Sequence, residues 1–195
     1  DPGSHTLVVA NTPISHKPVP IGSPTVKFDV LQGGTRDEDH IYEWNKHQDL
    51  VSEKFVLWDS CFELPTQNLE ATKDVLATVQ AGTVSHKLSL AGGKLEVYDY
   101  PGEYAQRFDG VNPSGGEQPT ELQKIFPDKD RTVGIRMQEE AAGAVRIDSS
   151  SHFRHIVSGY KFDLERHPGG GGAGHGPSAD GSYLLVSIEH EGEDI

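Results

Sequence analysis

Residues Lys94–Tyr104 read Lys-Leu-Glu-Val-Tyr-Asp-Tyr-Pro-Gly-Glu-Tyr, and the reading of the fold starts from this stretch. Leu95, Val97 and Asp99 alternate with Glu96, Tyr98 and Tyr100, which is the period of a β-strand. Pro101-Gly102 ends the strand, because proline fixes φ and glycine accepts positive φ. Tyr98, Tyr100 and Tyr104 cluster at this break. Tyrosines supply large, rigid contact area at low entropy cost, each with a polar tip. The stretch holds no nucleophile beside a base, so it reads as packing or contact surface.

Just upstream, Thr83–Leu90 alternates well and Ala91-Gly92-Gly93 forms a corner, which predicts a hairpin between that strand and the central one. Earlier still, Ile41–His47 and Lys54–Phe62 read as two strands of a meander. Phe55, Leu57 and Asp59 share one face of the second, and Val56 and Trp58 the other. Trp44 and Trp58 read as core or interface aromatics. Glu63–Leu69 is a loop around Pro65. Ala71–Ala77 has the makings of a helix, whereas Thr78-Val79-Gln80 is strand-like. At the start, His5–Ala10 is rich in β-formers and predicts a strand, followed by a proline-rich extended segment and a second strand at Val26–Val30.

Downstream, Leu122, Ile125 and Phe126 suggest a short helix over Glu117–Phe126, stopped by Pro127-Asp128. Asp130 or Thr132 then caps the best helix, Thr132–Ala142, with Val133, Met137 and Ala141 on its apolar stripe and Gly143 at its end. Strands follow at Ala144–Ser149, Tyr160–His167 and Ser182–Glu191. Pro168–Gly181 has nothing large to bury and is expected to be a mobile loop. The fold class is therefore mainly β with one or two short α-helices.

The chain has 195 residues, with thirty acidic against seventeen basic side chains, a net charge of −13. That balance argues against a nucleic-acid face and against an anionic membrane surface. No apolar run approaches the ~20 residues that span a bilayer, so no membrane anchor is expected. No signal peptide opens the chain, and its start reads as a cut through a longer protein. The single cysteine, Cys61, cannot form an internal disulfide and reads as a small buried residue. Asp37-Glu38-Asp39 lacks the spacing of a calcium loop and reads as solvated. Gly169–Gly172 lacks the Gly-Lys-Ser/Thr that a phosphate loop requires. His152-x-x-His155 is the one candidate metal pair, and with His167 and His190 nearby it keeps a metal-dependent hydrolase open as an alternative. The helical His-Glu-x-x-His motif and any Cys-x-x-Cys are missing, so the sequence predicts no catalytic residue, metal or cofactor.

Four ordered blocks carry a resemblance: HTLVVANTP at His5–Pro13, LEVYDYPGEYAQRFDG at Leu95–Gly110, RTVGIRMQEEAAG at Arg131–Gly143, and FDLERHP…DGSYLLVSIEHEG at Phe162–Gly192. Together they resemble the hub region of VgrG proteins, the spikes of type VI secretion systems, which is shared with phage tail hub proteins. The resemblance implies barrel-like modules similar to tail-tube subunits. It places a strand pair and Pro-rich linker at 1–31 and a tube module at 32–195, with the Gly-rich loop 168–181 within it. It implies an extended connection at Leu69–Thr83. It further implies a homotrimeric parent protein, an Hcp-like hexameric tube as partner, a downstream needle with a PAAR-type tip and effectors, and a structural, non-enzymatic role. Assembly in the bacterial cytoplasm and export without a signal peptide follow from the same resemblance. A hub of a phage-like contractile particle is the alternative within this class. Tyr98, Tyr100 and Tyr104 are the expected packing or interface aromatics.

Overall fold

The computed structural model describes residues 3, 7–10, 12–30, 39–90, 92, 94–110, 119–167 and 179–192. The Asp37-Glu38 part of the acidic triplet and the Gly-rich segment 168–178 lie outside them. The fold is mainly β, as the alternating segments predicted. The chain forms two units, Asp1–Asn45 with Gln80–Val84 and Asp148–Ile195, and Lys46–Val79 with Ser85–Ile147. β1 (Thr25–Phe28) lies inside the first unit's sheet.

That sheet has the order β10-β9-β1-β2-β8, with β2 at His40–Gln48, β8 at Val145–Ser151, β9 at Lys161–Glu165 and β10 at Gly181–Leu184. β1 runs parallel to both neighbours, pairing Phe28 with Ile41 on one side and Val26 with Leu164 on the other. β9 and β10 form an antiparallel hairpin, with Tyr183 opposite Phe162. The residues that alternate inward in the sequence are those that are buried: Val26, Ile41, Phe162 and Leu164. Trp44 packs edge-on against Tyr183, with ring centroids 4.8 Å apart, and confirms its reading as a core aromatic.

Two expected strands of this unit are shortened or missing. Among the described residues Leu7–Ala10 pairs with no strand, and Leu7, Val8 and Val9 are 89%, 76% and 86% exposed. β-propensity reflects packing against neighbours, and without a neighbouring strand these residues have nothing to pack on. Likewise, the strand expected over Ser182–Glu191 ends at Leu184; Leu185 still exchanges backbone hydrogen bonds with Tyr160 and Gly159, and Val186 is exposed.

In the second unit the sheet order is β4-β3-β7, with β3 at Lys54–Leu57, β4 at Ala71–Asp74 and β7 at Glu96–Asp99. The central strand β3 buries Phe55, Val56 and Leu57 in succession. It is antiparallel to β4 and parallel to β7, in the register Val56↔Thr72 and Val56↔Tyr98. The predicted meander of β2 with β3 is therefore wrong; the two belong to different sheets. So is the hairpin into β7. The hairpin forms one step earlier, between β5 (Thr78–Ala81) and β6 (Val84–Lys87), across Gly82-Thr83. Gly82 sits at φ 61°, the left-handed turn geometry that glycine adopts without strain. No helix forms at Ala71–Ala77; Ala71–Asp74 is the strand β4 paired with β3.

The helices are α1 (Pro119–Leu122) and α2 (Ile125–Ala142). α2 begins seven residues before the expected Thr132. Pro127 stands in its first turn, where the missing N–H has no helical partner to lose, so it does not end a helix there. The expected stripe is real: Val133 and Met137 are buried against Phe55, Leu57, Leu69 and Tyr104. Gly143 caps the helix with right-handed geometry instead of the left-handed C′ turn.

One polar group inside this unit has a pH signature. His86 on β6 is buried between Lys46 and Gln48 at the end of β2. Its Nε2 lies 3.2 Å from the Lys46 ammonium, and its Nδ1 lies 3.0 Å from Gln48 Oε1. This environment fits a neutral ring that accepts from Lys46 and donates to Gln48. Burial first, and the Lys46 charge second, push its pKa below the ordinary 6.5. A histidine depressed in the folded state gives stability that is present above its unfolded pKa and is lost as pH falls through the lower folded value. Urea midpoints at pH 7.5 and 5.0 should thus fall further for the native chain than for His86→Gln; equal falls would contradict this role.

Candidate functional site

The segment from β7 to Ala105 is held to β3 by backbone bonds. Trp58 N–H donates to Asp99 O at 3.2 Å, and Gly102 N–H donates to Trp58 O at 3.0 Å. The Tyr100–Pro101 peptide is cis, and Glu103 adopts φ 61°. The left-handed turn at Glu103 interrupts the strand alternation, so the three tyrosines part company.

Tyr104 turns inward. It is 2% exposed, and its hydroxyl donates toward the carbonyls of Leu57, at 3.3 Å, and Leu69. Burial, then the carboxylates of Asp59 and Glu70, hold this phenol well above the ordinary tyrosine range. Beside it Asp59, also buried, accepts the Ala105 N–H at 2.7 Å and the Ser60 N–H at 2.9 Å. A Cβ on Gly102 would overlap the ring of Tyr104, so glycine is required there by close approach. Tyr104 is thus a packing residue.

Tyr98 and Tyr100 turn outward and are 57% and 47% exposed. Trp58, 41% exposed, meets Tyr100 with ring centroids 5.3 Å apart and planes tilted by 34°. The Ser60 and Tyr100 hydroxyls lie 3.4 Å apart. The sequence offered Trp58 as an aromatic but did not pair it with Tyr100; that follows only from the parallel register of β3 and β7. β7 is an edge strand, so this face ends in an aromatic border.

The histidines do not gather as the metal reading needs. His152 lies against His40 and Tyr42, with ring centroids 5.2 and 4.8 Å away, whereas His155 sits beside Phe153. His167 packs against Phe28 with ring centroids 4.6 Å apart and planes tilted by 55°. Among the described residues no three His, Cys, Asp or Glu side chains come together as a metal set. Cys61 is buried and free, with its thiol pKa raised by burial and then by Asp109. No helix among the described residues is long and apolar enough to cross a membrane.

The site is thus an exposed aromatic face at the border of a sheet, over a tightly bonded turn, in a mainly β protein. A family model for the phage tail baseplate hub (GPD) matches residues 1–195, and the chain belongs to that family. It is 30% identical over 192 residues to the type VI secretion system spike protein VgrG1b of Pseudomonas aeruginosa, covering 95% of this chain and 20% of that protein. It is 28% identical over 186 residues to VgrG1a of the same organism, covering 95% of this chain and 23% of that one. The chain therefore spans about a fifth of the length of these curated relatives. A structural role of the hub and spike class is supported by these matches.

The split among the tyrosines is testable. Tyr104→Phe leaves two buried carbonyls short of a donor and should cost about 1–3 kcal/mol. Gly102→Ala forces a clash against a packed ring and should cost a similar ~1–3 kcal/mol. Tyr98→Ser, on the surface, should stay within about 0.5 kcal/mol. Thermal melts of the three variants check this; a Tyr98→Ser loss as large as that of Tyr104→Phe would contradict it.

Proposed function

We propose that this chain is the hub part of a type VI secretion spike, joining a tail-tube-like ring to a piercing needle. The observation that carries it is the hub-family match along all 195 residues. In this reading the parent protein is a homotrimer and docks on an Hcp-like hexameric tube. Its downstream parts carry the needle, a PAAR-type tip and effectors. It performs no catalysis; its work is to transmit force and match a sixfold tube to a threefold spike. Closure of its sheets into barrel-like modules is part of the same proposal, since ring neighbours cover strand edges that otherwise invite aggregation. Assembly in the bacterial cytoplasm and export without a signal peptide complete it. The relatives named as type VI spike proteins favour this reading over a phage-like particle.

Subunits carrying a net charge of −13 repel, so the contacts between them must be mainly apolar or locally charge-matched. Light scattering on the full-length parent protein tests the proposal. A trimer is expected, and it should co-elute with tube hexamers. A monomeric parent that ignores the tube protein would overturn the assignment.

A further inference from the structure

The outer face of the β4-β3-β7 sheet has a chemistry of its own. The register sets Asp74, Lys54 and Glu96 in one row across it and Thr72, Val56 and Tyr98 in the next. Trp58 and Tyr100 continue the face beyond the strand ends. Lys54 is bound to Glu96 by a salt bridge, and its pKa is raised by Glu96 first, then by Asp74 and Glu70. The Lys54 ammonium therefore faces the carboxylates of Glu96, Asp74 and Glu70, a local excess of negative charge beside exposed aromatic rings.

Among the described residues, the backbone along the border of this face pairs with no further strand. Leu95 O accepts from Glu53 and Lys54, and Asp99 O accepts from Trp58, so these residues point their main chain at β3. In a parallel ladder the residues between them point theirs the other way. Glu96 and Tyr98 thus direct their N–H and C=O groups toward the edge of β7 that no strand among the described residues covers.

We propose that β7 accepts an extended segment of a partner protein that carries arginine or lysine at alternate positions. A strand added there would place every second side chain on the outer face, about 5 Å from Glu96, Tyr98 and Tyr100. Carboxylates attract the cations, and Tyr98, Tyr100 and Trp58 offer ring faces on which a guanidinium stacks. A second copy presenting this same face is disfavoured, because it brings the same negative charge. The inference is independent of the hub assignment, since it concerns an edge that one chain already carries.

An eight-residue peptide alternating Arg and Thr, fluorescently labelled, is the probe; a Glu-Thr peptide of equal length is the control. Anisotropy should show saturable binding of the Arg-Thr peptide only, weakening as salt screens the charges. A Tyr98→Ser/Tyr100→Ser variant should bind about tenfold more weakly, as expected for the loss of two cation–π contacts. Its melting curve reports whether it is folded. Hydrogen exchange on the native chain is the second readout and needs no variant: the Glu96 and Tyr98 amides should slow when the peptide binds. Equal affinity in the variant, unchanged exchange at Glu96 and Tyr98, or no saturable binding below about 1 mM would each overturn the proposal. Failure of the peptide with a trimeric, tube-binding parent would remove this inference and leave the hub reading standing.

Discussion

The buried phenol of Tyr104 is the constraint on which the second unit depends. A hydroxyl taken out of water has to find a partner, because leaving it or its acceptors unpaired costs about 1–3 kcal/mol. Tyr104 bonds to Leu57 at the end of β3 and to Leu69 just before β4. One side chain from beyond β7 thereby holds together the ends of two other strands. Asp59 does the same from the opposite direction, reaching out of the β3 end to the Ala105 N–H. The two interactions fasten the turn after β7 from both sides, and α2 then packs Val133 and Met137 onto the same cluster.

This fastening sets up the outward aromatic face. With Asp99 and Gly102 bonded to Trp58, the residues between them have little freedom. Tyr98 and Tyr100 are left on the outer face, beside Trp58 and next to an open strand edge. In a hub-family protein such an edge is expected to be covered on assembly, because exposed edges template unwanted pairing. The rigid turn beneath the aromatics lowers the entropy cost of that contact, since the rings are already positioned.

How much of this was readable in the residues differs from place to place. The alternation in Leu95–Tyr100 and the break at Pro101-Gly102 marked β7 and its end correctly, and period two placed Asp59 on the inner face with Phe55 and Leu57. Partner choice was not readable. β7 pairs with a strand some forty residues earlier, whereas the nearby Gly92-Gly93 corner suggested a local hairpin. Local turn chemistry carries no information about a distant parallel neighbour. The tyrosines were indistinguishable for a related reason. Tyr104 is separated from Tyr98 by an even number of residues, which strand alternation would place on one face; the positive φ of Glu103 and the close approach at Gly102 reverse it. Pro127 misled in the opposite sense, since a proline ends a helix only when it falls beyond the first turn. The His86 environment left no mark at all, because Lys46, Gln48 and His86 meet only after β2 and β6 have folded. The resemblance in four ordered blocks reached the family that the whole-chain match later established.

The division between one buried tyrosine and two presented ones is the centre of this account. Hydroxyl-radical footprinting of the full-length protein, alone and assembled on its tube, measures it directly. Tyr98 and Tyr100 should be oxidised readily in the free protein and protected on assembly, with Tyr104 unmodified in both states. Oxidation of Tyr104 at the rate of the other two in the folded protein, or no protection of Tyr98 and Tyr100 in the assembly, would contradict it.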